Sequence, residues 1–121
     1  MIDHIVLNVK DVAVSRAFYE KALAPLGYVV IMAFPTGVGF GNAGKPEFWI
    51  GRRDPAPTGV HFAFAANDRA TVRAFFDAAV ATGAEVLHEP RVWPEYHPNY
   101  YGAFVRDPDG NNVEAVSHVP E

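Results

Sequence analysis

The chain has 121 residues, half of them hydrophobic and a fifth charged, which sets it apart from disordered chains and suffices for one domain around a single core. A formal charge of -4 with no basic block argues against a nucleic-acid partner, and no apolar run reaches the roughly 18 residues of a membrane span. The absence of cysteine removes disulfides, thiolate metal sites and a thiol nucleophile; MIDHIVLNVK has no signal-peptide profile, so the expected compartment is the cytoplasm.

The opening pattern predicts a strand over 2–9 running into an amphipathic helix over 12–24, with Asp11 as N-cap. Val14, Phe18 and Ala22 form the apolar stripe of that helix, and Gly27 stops it. Three short strands follow, over 28–33, 37–41 and 47–52. DPAPTG (54–59) reads as a linker. The order then recurs: a strand over 59–66, and a helix over 69–82 capped by Asn67 or Asp68. Its stripe is Val72, Phe75, Phe76 and Ala79, and Gly83 stops it. Strands over 85–88, 101–106 and 111–117 complete the second set, with EPRVWPEYHPNY as an inserted loop.

The recurrence is also written in the letters. HIVLNVKDVAVSRAFYEKALA (4–24) and HFAFAANDRATVRAFFDAAVA (61–81) agree at eight of 21 positions at a constant offset of 57. Both halves are therefore βαβββ modules, about 1–54 and 58–121, within one α+β domain spanning 1–121.

Strand alternation assigns faces. Ile5, Leu7 and Val9 share one face of the first strand, opposite His4, Val6 and Asn8. Val60, Phe62 and Phe64 share a face in its repeat, opposite His61, Ala63 and Ala65. With the large apolar sets packed beneath the helices, His4 and His61 take equivalent places on the other face, where small neighbours leave room for a cavity. A carboxylate is depleted in strands and costly to bury unpaired, yet Glu114 sits between Val113 and Ala115. Singly, such residues are usually structural or solvent-facing. Together they make a two-His-one-carboxylate set suited to a divalent first-row metal with open coordination positions.

The sequence resembles the vicinal oxygen chelate superfamily of glyoxalases, bleomycin-resistance proteins and extradiol dioxygenases. The resemblance covers essentially the whole chain and rests on DHIVLNVKDVAVSRAFYEKALAPLGY, GVHFAFAA and YYGAFVRDPDGNNVEAV. It implies paired modules forming a cupped mixed sheet, the glyoxalase/bleomycin-resistance/dioxygenase fold. It also implies that His4, His61 and Glu114 hold a divalent ion (Fe, Mn, Zn or Ni). It implies a homodimer, in some members with modules exchanged so that His4 comes from one chain and His61 with Glu114 from the other. Glyoxalase I has a fourth ligand, Glu or Gln, on the last strand of its first module. Counting four residues from Gly44, as Glu114 lies four from Gly110, gives Phe48, with Glu47 on the other strand face unless a bulge turns it inward.

Phe48, Trp49 and Ala63 are the expected lining of a substrate pocket. His97, Tyr100 and Tyr101, around the YHPNYY segment, are candidate acid/base or substrate-orienting groups; the competing reading is a surface lid pinned by Pro94 and Pro98. His88 and His118 have no evident partner and read as surface histidines. Two functional expectations follow. One is a metal-dependent enzyme that chelates a small oxygenated substrate, by isomerase or lyase, dioxygenase or thiol-transferase chemistry. The other is a metal-free protein that binds a small molecule or antibiotic.

Overall fold

The computed structural model describes residues 2–121. The first module comprises β1 (Ile5–Val9), α1 (Val12–Leu23), a 3-10 turn (Ala24–Leu26), β2 (Val29–Phe34), β3 (Gly37–Gly41) and β4 (Phe48–Arg52). The second comprises β5 (His61–Ala65), α2 (Arg69–Ala81), β6 (Val86–Val92), β7 (Tyr101–Arg106) and β8 (Asn112–Ser117). The chain forms two four-stranded mixed sheets of the same design, β1-β4-β3-β2 and β5-β8-β7-β6. In each, the opening strand runs parallel to the last and the remaining neighbours are antiparallel.

Local chemistry accounts for the helices. The Asp11 carboxylate accepts from Val14 N, and Asp68 from both Thr71 N and Thr71 Oγ1, so each satisfies donors that the first helical turn leaves free. Gly27 and Gly83 take positive φ (84° and 90°) where the chain leaves the helical segments. In α2 the expected stripe is buried at Val72, Phe75 and Ala79, with Phe76 half-buried. In α1 the buried face is Ser15, Phe18, Tyr19, Ala22 and Leu23, and Val14 is 52 % exposed. The helix turns so as to bury Tyr19, whose hydroxyl has a partner inside.

That partner is Asp107, at 2.5 Å. Asp107 also accepts from Asp109 N, Asn111 N and Asn111 Nδ2, so the DPDGN turn is organised around one buried carboxylate. The bond ties α1 of the first module to the turn before β8 of the second. Burial and the nearby Asp107 charge push the Tyr19 phenol well above its ordinary pKa, so it stays a donor. Around Tyr19, Phe40, Phe48 and Phe62 complete a core shared by both modules.

Strand β6 is longer than the sequence predicts. It continues through Glu89, Pro90 and Arg91 to Val92, and register shifts between Val86, His88 and Arg91 accommodate the proline. Four residues expected in the inserted loop, Glu89 to Val92, thus belong to the sheet. Among the described residues, no helix is long and apolar enough to cross a membrane.

Candidate metal and substrate site

Glu114 lies inside β8, paired in register with Ala63 on one side and Phe104 on the other, and is 1 % exposed. Its Oε2 accepts a hydrogen bond from the Tyr100 hydroxyl. Gly102 makes room for the pair: a Cβ there would stand 3.0 Å from Glu114 Oε2 and 3.3 Å from Tyr100 Cε1. The other oxygen, Oε1, is 3.3 Å from His61 Nε2.

The tautomer of His61 follows from its other contact. Nδ1 is 3.2 Å from the Asn112 carbonyl, which can only accept, so Nδ1 carries the proton. In the neutral ring, Nε2 then presents a lone pair to a carboxylate oxygen. Two electron pairs face each other, and a cation or an added proton must reconcile them. An imidazole whose far nitrogen is fixed by a backbone carbonyl is the arrangement that metal-ligating histidines adopt. Burial pushes the Glu114 carboxyl above its usual range, against the lowering effects of Tyr100, His61 and His118. Tyr100 is likewise raised, first by desolvation and then by its bond to Glu114.

His4 is not part of this cluster. Its side chain is half exposed, and Nδ1 lies 2.8 Å from Asp3 Oδ1. Among the described residues, no three His, Asp or Glu side chains converge to hold a metal ion. His4 borders a separate cavity of about 360 Å³, lined also by Asp3, Val6, Lys45, Pro46 and Trp49.

The register corrects the assignment of the fourth position. Val6 pairs with Trp49 as Ala63 pairs with Glu114, so Trp49, not Phe48, is the counterpart of Glu114. Gly44 and Gly110 both have positive φ, but the first module carries one more residue between that glycine and the equivalent strand position. Phe48 is 2 % exposed and packs on Tyr19, Phe62 and Phe64, so it belongs to the core. Glu47, two residues before Trp49, borders a cavity with His4, and its carboxylate is already engaged, accepting from the Tyr28 hydroxyl at 2.7 Å. Tyr28 is pushed up to about 12 by burial and by that bond.

The segment 93–100 covers the Glu114 cluster. Trp93 Nε1 donates to the Gly102 carbonyl, and the Trp93 ring packs against Phe104 and His88. Asn99 N donates to His97 Nδ1, so in the neutral ring Nε2 bears the proton and donates to His118 Nδ1 at 2.8 Å. Both rings lie against Tyr100. His118 is exposed, as expected, but it is not solitary; strand alternation through 114, 116 and 118 was the available signal. Tyr101 points the other way, onto α2, with Arg69 and Arg73 over its ring and Arg73 on its hydroxyl. The structure therefore gathers His61, Glu114 and Tyr100, adds His97 and His118 beside Tyr100, and leaves Tyr101 on the helix side. Ala63, exposed next to Glu114, keeps the floor of the site open.

Residues 1–115 match the family model described as Glyoxalase/Bleomycin resistance protein/Dioxygenase superfamily. Among solved structures, a glyoxalase/bleomycin resistance protein from Albidiferax ferrireducens T118 is 28% identical with a TM-score of 0.84, over 95% of this chain and 97% of that one. A putative glyoxalase from Bacillus halodurans is 26% identical with a TM-score of 0.75, over 97% and 95%. A lactoylglutathione lyase from Agrobacterium tumefaciens, 23% identical with a TM-score of 0.70 over 97% and 92%, shares the fold. No functionally curated protein matches the chain.

Proposed function

Because the chain belongs to the glyoxalase/bleomycin resistance protein/dioxygenase superfamily, we propose that it is a divalent-metal-dependent enzyme acting on a small oxygenated substrate. In this reading His61 and Glu114 of one copy hold the ion together with His4 of a second copy in a homodimer. The observation that carries it is His61 Nε2 standing 3.3 Å from Oε1 of the buried Glu114 carboxyl, with Nδ1 committed to the Asn112 carbonyl. Two donors fit a metal, and a third is needed. His4, the symmetry counterpart of His61, stands outside the cluster of its own chain on a half-exposed strand end.

An ion of the Fe, Mn, Zn or Ni type bound there supplies Lewis acidity and open positions for two adjacent substrate oxygens. The chain's own groups do the rest. Tyr100 holds Glu114 Oε2 and fixes the carboxylate plane, while the 93–100 segment shields that side from water. His97 and His118 form a hydrogen-bonded pair beside Tyr100, and an imidazole is the side chain best suited to pass a proton near neutral pH. Trp49 stands where glyoxalase I has its fourth ligand, which favours a three-donor site.

A metal-free binding protein is the second reading, favoured by Tyr100, which already occupies one oxygen of Glu114. Elemental analysis separates the two. Wild-type protein purified without chelator should carry close to one ion per chain, and His61→Ala, Glu114→Gln and His4→Ala should each lose most of it. Stoichiometric metal in all four proteins would sink the ligand assignment; none in wild type, even after reconstitution, would leave the binding reading.

A further inference from the structure

We propose that the cleft between the two helices, on the helix-covered side of the sheets, binds a small amphiphilic carboxylate: an alkyl or aryl body ending in one negative charge. The cleft encloses about 710 Å³, within the range of small-molecule sites, and shares no residue with the His61–Glu114 cluster. One wall is α1 at Val14, Ala17 and Phe18, and the other is the exit of α2 at Ala81 and Ala84. Val14 is uncovered there because α1 turns to bury Tyr19. The internal repeat shows that this space is particular to one side of the molecule. A counterpart cleft lies where α2 meets the exit of the first module's helix, with Thr71 in the place of Val14 and Tyr28 in the place of Ala84, and it holds about 440 Å³. A hydroxyl there replaces an apolar wall residue and a phenol replaces a methyl, so of the two clefts the larger is also the more apolar at these positions.

The charges that border the cleft leave one cation unmatched. Asp107 has both oxygens occupied, Oδ1 by Asp109 N and Asn111 N, and Oδ2 by Tyr19 and Asn111 Nδ2. Glu85 stands 3.7 Å from Arg106 Nε, and the same guanidinium donates to the Gly110 carbonyl. The last carbonyls of α2 are engaged as well, since Thr82 Oγ1 donates to Ala79 O and Gly83 N to Val80 O. Lys21, in the last turn of α1, borders the same cleft and pairs with no carboxylate among the described residues. Its repeat counterpart, at the offset of 57, is Ala78. An apolar wall with one free ammonium beside it complements a carboxylate on an apolar body, whereas a cationic or uncharged ligand leaves Lys21 unused.

Calorimetric titration of the intact chain with decanoate, below its micelle concentration, tests the cleft. One decanoate should bind per chain, at least tenfold more tightly than decyltrimethylammonium, which reverses the charge, or butanoate, which lacks the apolar body. Lys21→Gln should weaken decanoate at least tenfold. Val14→Glu should do the same by setting a carboxylate on the wall, at a first-turn helix position that tolerates one. A carboxylate can also ligate a metal ion, so the titration is repeated with chelator and in His61→Ala, where the affinity should be unchanged. Bound metal, in turn, should be equal in wild type, Lys21→Gln and Val14→Glu. No binding of decanoate, equal affinity for decyltrimethylammonium, or binding that survives both Lys21→Gln and Val14→Glu would overturn the proposal. Binding that disappears with chelator or in His61→Ala would move the carboxylate to the metal site and overturn it equally.

Discussion

Burying Glu114 to 1 % exposure costs the folded chain, and the hydrogen bond from Tyr100 only partly offsets it. The raised pKa of the carboxyl states the same fact in terms of protons: the folded chain holds the Glu114 proton more tightly than the unfolded chain does. A group raised in this way contributes stability at pH below the ordinary carboxylate range, and the contribution is lost as pH rises through the folded value. Glu114→Gln keeps the shape and the acceptor for Tyr100 but carries no charge. In metal-free protein, this variant should therefore be at least as stable as wild type near neutral pH, with its advantage shrinking in acid. Excess metal should reverse the order by stabilising wild type alone. Urea unfolding at about pH 5 and about pH 8, with and without metal, checks the sign at each point. Asp107 is the contrasting buried carboxylate, since four donors surround it. Tyr19→Phe should cost about 1–3 kcal/mol in the same assay, because it removes the one bond to Asp107 that crosses between modules.

At the scale of elements, the caps and glycine stops are the parts a sequence states most directly. Asp68→Ala removes two hydrogen bonds from the first turn of α2 and should cost about 1 kcal/mol in urea unfolding, with the metal content unchanged. Both helices and all eight strands were legible because periodicity and punctuation agree along the chain. What was not legible depended on contacts far apart in sequence. The buried face of α1 turned toward Tyr19 because Asp107 waits for it 88 residues away. The extra length of β6 came from register shifts that let Pro90 stand in a strand. The identity of the fourth position failed by a single residue. A count from Gly44 gave Phe48, whereas the β1–β4 pairing gives Trp49, and a one-residue slip moves every side chain to the opposite face. His61 and Glu114 were legible as a pair, since both stand at marked strand positions; the union of Tyr100, His97 and His118 was not, because the path of the 93–100 segment is set by tertiary contacts such as Trp93 on Gly102.

The whole molecule poses the question of the third donor. One chain supplies His61 and Glu114 at one place and His4 at another, and its first module leaves an apolar face of Val6, Val29, Met32 and Phe34 uncovered. Contiguous exposed apolar surface of this kind marks an interaction site, and a dimer in which His4 reaches the partner's His61 and Glu114 sets the second module of each chain against the first module of the other. Light scattering should therefore give twice the chain mass of 13.2 kDa, and a monomer over a wide concentration range would refute the arrangement. Mass alone does not show that the site is shared, but complementation does. His4→Ala and His61→Ala homodimers should each lack metal, because every site in them misses one donor. In the mixed dimer, both lesions fall in one site and the other takes an intact His4 from one chain and an intact His61 with Glu114 from its partner. Unfolding and refolding an equal mixture makes half the dimers mixed, so about a quarter of the wild-type metal should return. Ligands drawn from a single chain would give no recovery at any ratio, since every chain in the mixture lacks one of them.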